Sequence, residues 1–362
     1  MSFSVVTPNF NHGKVLARAV GAIMAQEPEP AEIIIINDGS TDDSLHVIRD
    51  LQARYSCIRL IDHERNRGVL AGMNEGLRAA SAEFVYMAAA DDFALPGLFA
   101  TAQEALRRHP EAAYFCGRVV LFSPQGRILG VRPFMQPSAG AAFLTPAAVR
   151  AELARSDNWS VGPGVIYRRR QLLAAGGFDE TMGAFGDGLM VRRLALESGF
   201  CFDPALVAAW EIYPESLSAR SALSVSENTR LIGRALAAVK ASFPADIRDA
   251  YANRLDRRLR FNMARLWLVF NKQTIDTAGL TEVLQFAGAA QKGLEIAARL
   301  PFARFAVLAW AALVLRPYAV GAVLIGYWRA TKAKWFELPR LRKVFAALHR
   351  PPSAGGAPRL TR

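Results

Sequence analysis

The apolar run over residues 84–90 ends in two consecutive carboxylates, Asp91 and Asp92, and this junction most constrains how the chain can fold. An uninterrupted apolar run, bounded by charge and by the Pro-Gly pair at 96–97, is typical of a strand buried on both faces. Such strands belong to parallel sheets that are sandwiched between helices. Ligands of these open sheets bind outside the carboxyl ends of the strands, so the two carboxylates lie where a ligand is expected.

Asp91 and Asp92 supply hard oxygen ligands, which suit Mg²⁺ or Mn²⁺. Such a cation is usually held by one or two carboxylates, and the phosphates of a substrate complete its shell. The pair therefore indicates a metal-bound diphosphate. A second interpretation stays open, in which the carboxylates only cap the helix that begins after Pro96.

The length and the cysteines bound the class of protein. At roughly 100–200 residues per domain, the 362 residues allow two domains, or one large domain with an extension. Cys57, Cys116 and Cys201 are widely spaced and form no metal-binding pair, so we expect reduced thiols in a cytosolic protein. The amino terminus lacks the features of a signal peptide and predicts a first strand.

The charge is divided unevenly along the chain. Residues 1–220 carry a net charge of −3, whereas residues 221–362 carry +15, within an overall +12. This asymmetry indicates a catalytic or binding domain that is carried on an anionic surface, either a membrane or a nucleic acid. We expect no nucleic acid, because no recognised nucleic-acid motif accompanies the charge.

The first hundred residues alternate between apolar runs and segments in which apolar residues recur at helical spacing. This order predicts an α/β fold with a mixed, mostly parallel sheet sandwiched by helices, and with acidic loops along one edge. We expect strands over 3–7, 32–36, 57–61 and 84–90, and helices over 14–26, 44–53 and 69–80. Beyond residue 100 we expect a strand over 112–117, a hairpin formed by 119–122 with a turn at 123–126, and late strands over 200–202 and 206–210.

The loop after the second strand repeats the pattern of an apolar strand followed by acidic and small residues. Asp38 is positioned to accept hydrogen bonds from a base or a ribose, and Gly39 lets the backbone approach a ligand closely. An ordinary turn between a strand and a helix would explain the same residues.

Four short motifs carry a resemblance to a known family. They are Val-Val-Thr-Pro-Asn-Phe-Asn at 5–11, Asn-Asp-Gly-Ser-Thr-Asp at 37–42, Asn-Arg-Gly at 66–68, and Ala-Asp-Asp at 90–92. In this order and spacing they closely resemble family 2 glycosyltransferases, which have a nucleotide-diphospho-sugar transferase fold. The resemblance implies that Asp38 reads the base of a nucleotide and that Asp91 and Asp92 include the metal ligand.

The predicted nucleotide site comprises the residues of these motifs and of the helix that follows them: Thr7, Pro8, Asn11, Asp38, Gly39, Asn66, Gly68 and Asn74. The chain departs from the family pattern at Ala89, where many members have Asp, and at Met73, where many have Arg.

Residues 156–170 and 176–180 resemble the acceptor half of the family, with a strand, an arginine cluster, a short helix and a Gly-Gly-Phe-Asp turn. The arginines at 168–170 are also compatible with a solvated helix start. Asp187 occupies the position of the family's general base, and Gly186 replaces the usual Glu before it. An inverting transfer needs a base to take the acceptor proton. A helix N-cap is the competing role for Asp187.

The carboxyl-terminal part predicts helices with a cationic face over 222–300. The apolar segments 305–315 and 317–328 flank Arg316, and each is shorter than the roughly 20 residues that cross a membrane. We expect an interfacial hairpin at an anionic membrane, or alternatively a buried hairpin in a homodimer. The tail over 351–362 is predicted to be disordered.

The sequence thus predicts an inverting, metal-dependent glycosyltransferase at the inner face of a membrane. It would move a sugar from a nucleotide-diphosphate donor to a hydroxyl acceptor, either lipid-linked or part of a surface polysaccharide. The predicted division is a catalytic domain over 1–220, with its nucleotide half over 1–100 and its acceptor half over 101–220, then a basic helical region over 221–350.

Two rival functions stay open. A catalytically inactive sugar-nucleotide-binding scaffold would explain Ala89 and Gly186. A nucleotidyltransferase would share the α/β nucleotide site, but the Gly-rich triphosphate loop that it needs is not apparent in the sequence.

Overall fold

The computed structural model describes residues 1–160, 162–212, 224–270, 275–319 and 321. The strands are β1 (Phe3–Asn9), β2 (Glu32–Asp38), β3 (Ile58–His63), β4 (Phe84–Met87), β5 (Phe93–Ala94), β6 (Tyr114–Phe122), β7 (Ile128–Arg132), β8 (Ala142–Leu144), β9 (Val165–Arg168) and β10 (Phe200–Glu211). The helices are α1 (Gly13–Met24), α2 (Ser44–Arg54), α3 (Val69–Ala79), α4 (Leu98–Arg108), α5 (Pro146–Arg155), α6 (Arg169–Ala174), α7 (Gly186–Ser198), α8 (Val225–Ser242), α9 (Arg248–Phe270), α10 (Thr277–Leu284), α11 (Ala289–Ala297) and α12 (Ala303–Leu315).

The strands form one sheet, and its order confirms the predicted mixed, mostly parallel architecture. The main path runs β3-β2-β1-β4-β9-β6-β10-β5, with β7 paired to β6 and β8 paired to β10. β1, β2, β3, β4, β6 and β10 run in one direction, whereas β5, β7, β8 and β9 run against them. The carboxyl ends of the six co-directional strands and the amino end of β9 therefore share one edge, which we call the carboxyl edge.

β2 shows why the apolar runs of this sequence form central strands. Side chains alternate between the two faces of a strand, so four consecutive isoleucines need a core on each face. Ile33 and Ile35 pack in one core with α1, α2 and α4, and Ile34 and Ile36 pack in the other with α3, α6 and α7. All four side chains are fully buried. Truncating one of them to alanine would cost about 2–5 kcal/mol.

The structure corrects two predicted strand boundaries around Arg118. Residues 114–122, predicted as parts of two strands over 112–117 and 119–122, form the single strand β6, which makes the predicted hairpin with β7. Arg118 does not interrupt the strand because it is only 7% exposed and its Nε donates to the carbonyl of Pro204. The two predicted late strands, 200–202 and 206–210, are likewise one strand, β10.

The described residues from 224 to 300 are mostly helical, which confirms the helices predicted over 222–300. α8 begins at the N-cap Ser224, whose Oγ accepts a hydrogen bond from Glu227 N at 3.3 Å. Helices α9 to α12 bury an apolar cluster of their own, which includes Leu268, Leu280 and Val307. None of the helices in the described part of the chain combines the length and apolar character needed to cross a membrane.

Several predictions fall outside the described residues. They concern the proposed boundary at residue 220, most of the segment 317–350, and the tail over 351–362.

Candidate functional site

Most of the predicted site residues meet at the carboxyl edge. Thr7 and Pro8 lie near the end of β1, and Asp38 is the last residue of β2. Asp91 and Asp92 form the turn between β4 and β5, and Asp187 lies in the first turn of α7. The parallel order of the strands therefore brings together side chains that are far apart in sequence.

Asp38 is buried and binds the Asn-Arg-Gly motif. Its Oδ1 accepts a hydrogen bond from Arg67 N at 2.9 Å and lies 2.8 Å from His63 Nδ1, while its Oδ2 accepts from Gly68 N at 2.9 Å. Gly39 packs against this motif so closely that a Cβ atom on it would lie 2.6 Å from the backbone of Arg65. The structure thus brings Asp38, Gly39, Asn66 and Gly68 together. Both carboxylate oxygens of Asp38 accept hydrogen bonds from the motif.

Asn11 joins the first loop of the edge to the second. Its backbone is left-handed, with φ of 58°, and its N donates to Ser40 Oγ at 3.0 Å. Its Oδ1 accepts hydrogen bonds from the backbone of Thr41 at 2.7 Å and of Asp42 at 3.3 Å. Beside it, the hydroxyl of Thr7 is buried and has no hydrogen-bond partner among the described residues.

Asn74 has a different role from the predicted contact with a nucleotide. Its side-chain amide donates to Phe178 O at 2.8 Å and accepts from Phe178 N at 2.8 Å. A Cβ atom on Gly177 would lie 2.5 Å from the same amide oxygen. Asn74 therefore holds the Gly-Gly-Phe-Asp turn against α3, and we leave it out of the proposed nucleotide site.

Asp91 and Asp92 differ in their surroundings. Asp92 is 6% exposed, and its Oδ1 accepts a hydrogen bond from Glu211 N at 3.2 Å. Burial raises the pKa of Asp92 well above its usual range, and the negative charges of Asp91 and Glu211 raise it further. Asp91 is more accessible, and its Oδ2 lies 4.0 Å from His12 Nε2. Neither carboxylate caps α4, whose N-cap is Gly97, so the capping interpretation is wrong.

The two carboxylates suit a divalent cation whose coordination shell is completed by a substrate. Over the described residues, no three His, Cys, Asp or Glu side chains converge in a way that would hold a metal ion alone. Two carboxylates are nevertheless a common protein contribution when diphosphate oxygens supply other ligands. The excess negative charge that raises the pKa of Asp92 is the charge that such a cation would offset.

Sequence reasoning missed Glu211 and Arg18 beside this pair. Glu211 is the last residue of β10, and its Oε2 accepts from Arg18 Nη2 at 2.9 Å. The guanidinium of Arg18 also lies 4.1 Å from the ring centre of Phe93. Only the position of Glu211 at the carboxyl end of a late apolar strand could have indicated it.

Asp187 lies against the turn that precedes β9. Its Oδ1 accepts from Gly188 N at 2.6 Å, and its Oδ2 lies 3.0 Å from the position of a Cβ atom on Gly162. Burial raises the pKa of Asp187, which the hydrogen bond from Gly188 and the charge of Arg192 partly oppose. The residue is not the N-cap of α7, which is Phe185, so the competing capping role is wrong.

Tyr86 connects the surroundings of Asp187 to those of Asp92. Its Oη donates to the carbonyl of Pro163, next to Gly162, at 2.9 Å. Burial raises the pKa of Tyr86, and the charge of Asp92 adds to the increase. The base candidate and the carboxylate pair therefore border the same part of the edge.

Arg192 fixes the helix that carries Asp187, and sequence reasoning also missed it. Its Nη1 donates to Gly188 O, its Nε donates to Asp157 Oδ1, and its Nη2 donates to Asp157 O at 3.1 Å. Burial by itself would lower the pKa of Arg192, but the charge of Asp157 more than reverses this effect. The guanidinium of Arg192 is therefore held in place by Asp157 and by the first turn of its own helix, α7.

One interpretation of the arginines at 168–170 was a solvated helix start, but Arg168 is not solvated. It is 6% exposed, and its Nη1 donates to Glu83 Oε1 at 2.6 Å. Its Nε donates to Ala112 O at 3.1 Å, and its guanidinium lies 4.9 Å from the ring centre of Phe84. Arg168 thus binds the backbone at the edge of the sheet that is opposite the site.

Comparisons of sequence find relatives of the amino-terminal part. Residues 4–169 match the family model described as Glycosyl transferase family 2. The succinoglycan biosynthesis protein ExoU of Rhizobium meliloti (strain 1021) is 31% identical over 137 residues, which are 35% of this chain and 40% of that protein. The uncharacterized glycosyltransferase YibD of Escherichia coli (strain K12) is 34% identical over 98 residues, which are 27% of this chain and 28% of that protein. The chain thus spans less than half the length of these curated relatives.

Solved structures share the fold at low sequence identity. Staphylococcus aureus TarS 1–349 in complex with UDP-GlcNAc superimposes with a TM-score of 0.57 at 16% identity, over 87% of this chain and 91% of that one. The mannosyltransferase PcManGT of Pyrobaculum calidifontis, in complex with GDP-Man and Mn²⁺, gives 0.54 at 16% identity, over 90% and 87%. These likenesses confirm the predicted fold. Residues 4–169, which contain the four motifs, are thus similar to family 2 glycosyltransferases.

Proposed function

We propose that the protein is an inverting glycosyltransferase that moves a sugar from a nucleotide-diphosphate donor to a hydroxyl acceptor. The observation that carries the proposal is that Asp38, the Asp91-Asp92 pair and Asp187 all border the carboxyl edge of one sheet. Each belongs to a different element, and each is a residue type that the reaction needs. The family match over residues 4–169 supports the same reaction class.

In this proposal the nucleoside binds between the first three strand ends. Thr7, Pro8 and Asn11 contact it from the first loop, Asp38 and Gly39 from the second, and Asn66 and Gly68 from the third. Both carboxylate oxygens of Asp38 accept hydrogen bonds from the Asn-Arg-Gly motif. Asp38 therefore recognises the nucleotide base in one of two ways. It positions the motif that contacts the base, or it contacts the base itself after the motif has moved.

Asp91 and Asp92 would hold Mg²⁺ or Mn²⁺, which would neutralise the charge that develops on the leaving diphosphate. The Mn²⁺ in the PcManGT complex supports a divalent cation in this fold. The accessible Asp91 faces the donor, and the buried Asp92 is fixed by the backbone of Glu211.

Asp187 would take the proton of the acceptor hydroxyl as its oxygen attacks the anomeric carbon from the face opposite the diphosphate. The raised pKa of Asp187 supports this role, because a more basic carboxylate is a better proton acceptor once it is ionised. The Arg192 hydrogen bond to Gly188 O would keep the first turn of α7, and hence the carboxylate, in position.

We further propose that the acceptor is a lipid-linked intermediate or a growing surface polysaccharide, and that the protein works at the inner face of a membrane. The name of the relative ExoU, a succinoglycan biosynthesis protein, supports polysaccharide assembly. The net charge of +15 over residues 221–362 supports contact with an anionic membrane. In this division residues 1–220 are the catalytic domain and residues 221–350 are the membrane-associating region, with a homodimer as the competing prediction.

The test is thermal stabilisation by a panel of nucleoside diphosphates, with and without Mn²⁺, followed by a transfer assay with the sugar donor of the base that binds. The ligands of TarS and PcManGT make UDP and GDP the first choices. We expect one diphosphate to raise the melting temperature more with Mn²⁺ than without, and Asp92→Asn to remove the Mn²⁺ effect. Binding without hydrolysis or transfer would favour the scaffold that Ala89 and Gly186 suggest, and no binding at all would contradict both functions.

A further inference from the structure

An arginine-lined cavity lies in the acceptor half and the carboxyl-terminal helices, outside the residues assigned to the donor site. It has a volume of about 690 Å³ and opens between the end of α5, the middle of α9 and the end of α12. Its cationic wall, which we call the arginine cluster, consists of Arg155, Arg254, Arg257, Arg258 and Arg316.

The fold brings the arginine cluster together from three elements. Arg254, Arg257 and Arg258 lie three and four residues apart on α9, so they share one helix face. Arg155 is the last residue of α5, and Arg316 follows the last residue of α12. A solvated face of a single helix does not explain this arrangement, because the arginines converge from separate parts of the chain.

Much of the positive charge in the cluster is unpaired. Arg155 is bound to Glu152 at 2.8 Å, and Arg258 lies 3.4 Å from Asp157 Oδ2. No carboxylate of the described residues lies within 4.0 Å of a guanidinium nitrogen of Arg254, Arg257 or Arg316. Like charges that are held close together repel each other, so an anion in the cavity would relieve an unfavourable interaction.

Arg258 gives the cavity a rigid cationic group. It is 4% exposed, and the backbone fixes its guanidinium: Nε donates to Pro317 O at 2.9 Å and Nη1 donates to Leu153 O at 3.2 Å. The remaining nitrogen, Nη2, has no hydrogen-bond partner among the described residues. The planar donor fork of arginine matches the oxygens of a phosphate group.

The surroundings of the cavity are cationic as well. Tyr318, which lines the cavity, lies near Arg132 and Arg265. Burial lowers the pKa of Arg132, and the charge of Arg265 lowers it further. Arg132 and Arg265 therefore add positive charge close to the cavity.

The wall that faces the arginines is apolar. Ala309, Ala312 and Leu313 of α12 form it, and Leu313 is 62% exposed. At the start of the same helix, Phe302 and Phe305 are 88% and 75% exposed. A phosphate that carries an apolar chain matches both walls, whereas a soluble nucleotide would leave the apolar wall without a complementary group.

We propose that this cavity binds the phosphate group of an anionic lipid. The inference rests on the membrane association proposed above, and it is independent of donor binding and of sugar transfer. The arginine cluster would hold the headgroup while the exposed apolar side chains of α12 contact the acyl region.

The test is co-sedimentation of the full chain with vesicles of phosphatidylcholine, with and without phosphatidylglycerol, for wild type and for Arg254→Gln/Arg257→Gln. Each basic residue near an anionic surface strengthens binding about fivefold, so the double variant is expected to bind about 30-fold more weakly. Arg107→Gln/Arg108→Gln on α4 is the matched control, because it removes the same charge from exposed arginines that pair with Glu104. The control is expected to bind like wild type.

Folding and donor binding are followed in the same samples. Arg254 and Arg257 make no described ion pair, so the double variant is expected to keep the melting temperature and the nucleoside-diphosphate response of wild type. Equal loss of vesicle binding in both double variants would overturn the cavity as the lipid site, because general charge attraction would then explain the binding. Absence of vesicle binding by wild type would overturn both the lipid proposal and the membrane association. If, in addition, pyrophosphate raised the melting temperature of wild type but not of Arg254→Gln/Arg257→Gln, the cavity would bind a soluble anion instead of a lipid.

Discussion

Asp157 Oδ2 accepts a hydrogen bond from Tyr251 Oη at 2.7 Å, and this contact joins the segment before β9 to α9 of the carboxyl-terminal helices. The same carboxylate binds Arg192 of α7 and lies 3.4 Å from Arg258 of α9. Asp157 is 5% exposed, and its backbone is left-handed, with φ of 52°. One buried carboxylate therefore connects the helix of the base candidate to the arginine-lined cavity.

Removing this carboxylate should destabilise the whole chain. We expect Asp157→Ala to lower the free energy of unfolding by about 3–5 kcal/mol, because it leaves the buried Arg258 and the partly buried Arg192 without their counter-ion. Tyr251→Phe removes one hydrogen bond and should cost about 1.5–3 kcal/mol, since the acceptor is charged. Urea unfolding measures both effects. Glu197→Ala is the control, because its pair with Arg193 is exposed and should contribute less than about 1 kcal/mol. If Asp157→Ala were no worse than this control, the network would have no structural role.

Asp187→Asn should lower turnover by about 10²- to 10⁴-fold while leaving the binding of the nucleoside diphosphate unchanged. Asp179→Asn is the matched control, because Asp179 caps the neighbouring turn through Thr181 N at 2.9 Å. It should retain nearly full turnover. Wild-type turnover of the Asp187→Asn variant would remove Asp187 as the base.

The pH dependence of turnover gives a second test of Asp187. Burial raises its pKa, and a base must be ionised to act, so kcat/KM of the wild type should rise with pH through a pKa above that of an ordinary aspartate. A plateau that already begins at the ordinary aspartate value of about 3.9 would contradict the assignment. The measurement is kcat/KM as a function of pH with a stable acceptor.

Gly39 and Gly68 form a matched pair for testing the third loop. Both have positive φ, of 70° and 96°, so alanine would cost about 1–3 kcal/mol of backbone strain at either position. Only at Gly39 would the new Cβ atom meet the backbone, at 2.6 Å from Arg65 and Asn66, whereas at Gly68 it would meet nothing within 4 Å. Gly39→Ala should therefore be the more destabilising change in thermal unfolding and should weaken nucleotide binding more. Equal effects would show that the Asn-Arg-Gly motif does not pack against Gly39 in solution.

Glu32 should make the free energy of unfolding of the domain depend on pH in the acidic range. Burial raises the pKa of Glu32, but hydrogen bonds from Ser81, Ser4 and Arg59 outweigh it and lower the pKa to about 2. A lowered pKa in the folded state means that the carboxylate stabilises the fold above its unfolded pKa and loses this contribution as the pH falls towards 2.

We therefore expect wild type to exceed Glu32→Gln in stability by a constant amount above pH of about 5. The difference should shrink as the pH falls from there towards 2. Urea unfolding of both variants at several pH values measures it. A difference that does not change with pH would show that the charge of Glu32 contributes nothing.

Sequence reasoning recovered β1 to β4 and α1 to α3, but not the short strand β5, because the signals of the longer elements are local. The isoleucines of β2 and the apolar spacing of α1 each repeat with the period of one element, so strand and helix follow without knowledge of the neighbours. Around Arg118 the same reasoning failed, since a charged residue continues a buried strand only when a distant carbonyl, that of Pro204, accepts from it.

The candidate site divides in the same way. Asp38, Asp91 and Asp92 follow apolar strands directly, so the sequence itself determined that they lie at the carboxyl edge. Only the tertiary structure decided what each side chain does there, because roles depend on partners that are 94 to 119 residues away. It tied Asn74 to Phe178, separated the buried Asp92 from the accessible Asp91 through Glu211, and linked α7 to α9 through Asp157. Periodicity specifies which face of an element is buried, but hydrogen bonds and charges between elements are set only when the chain has folded.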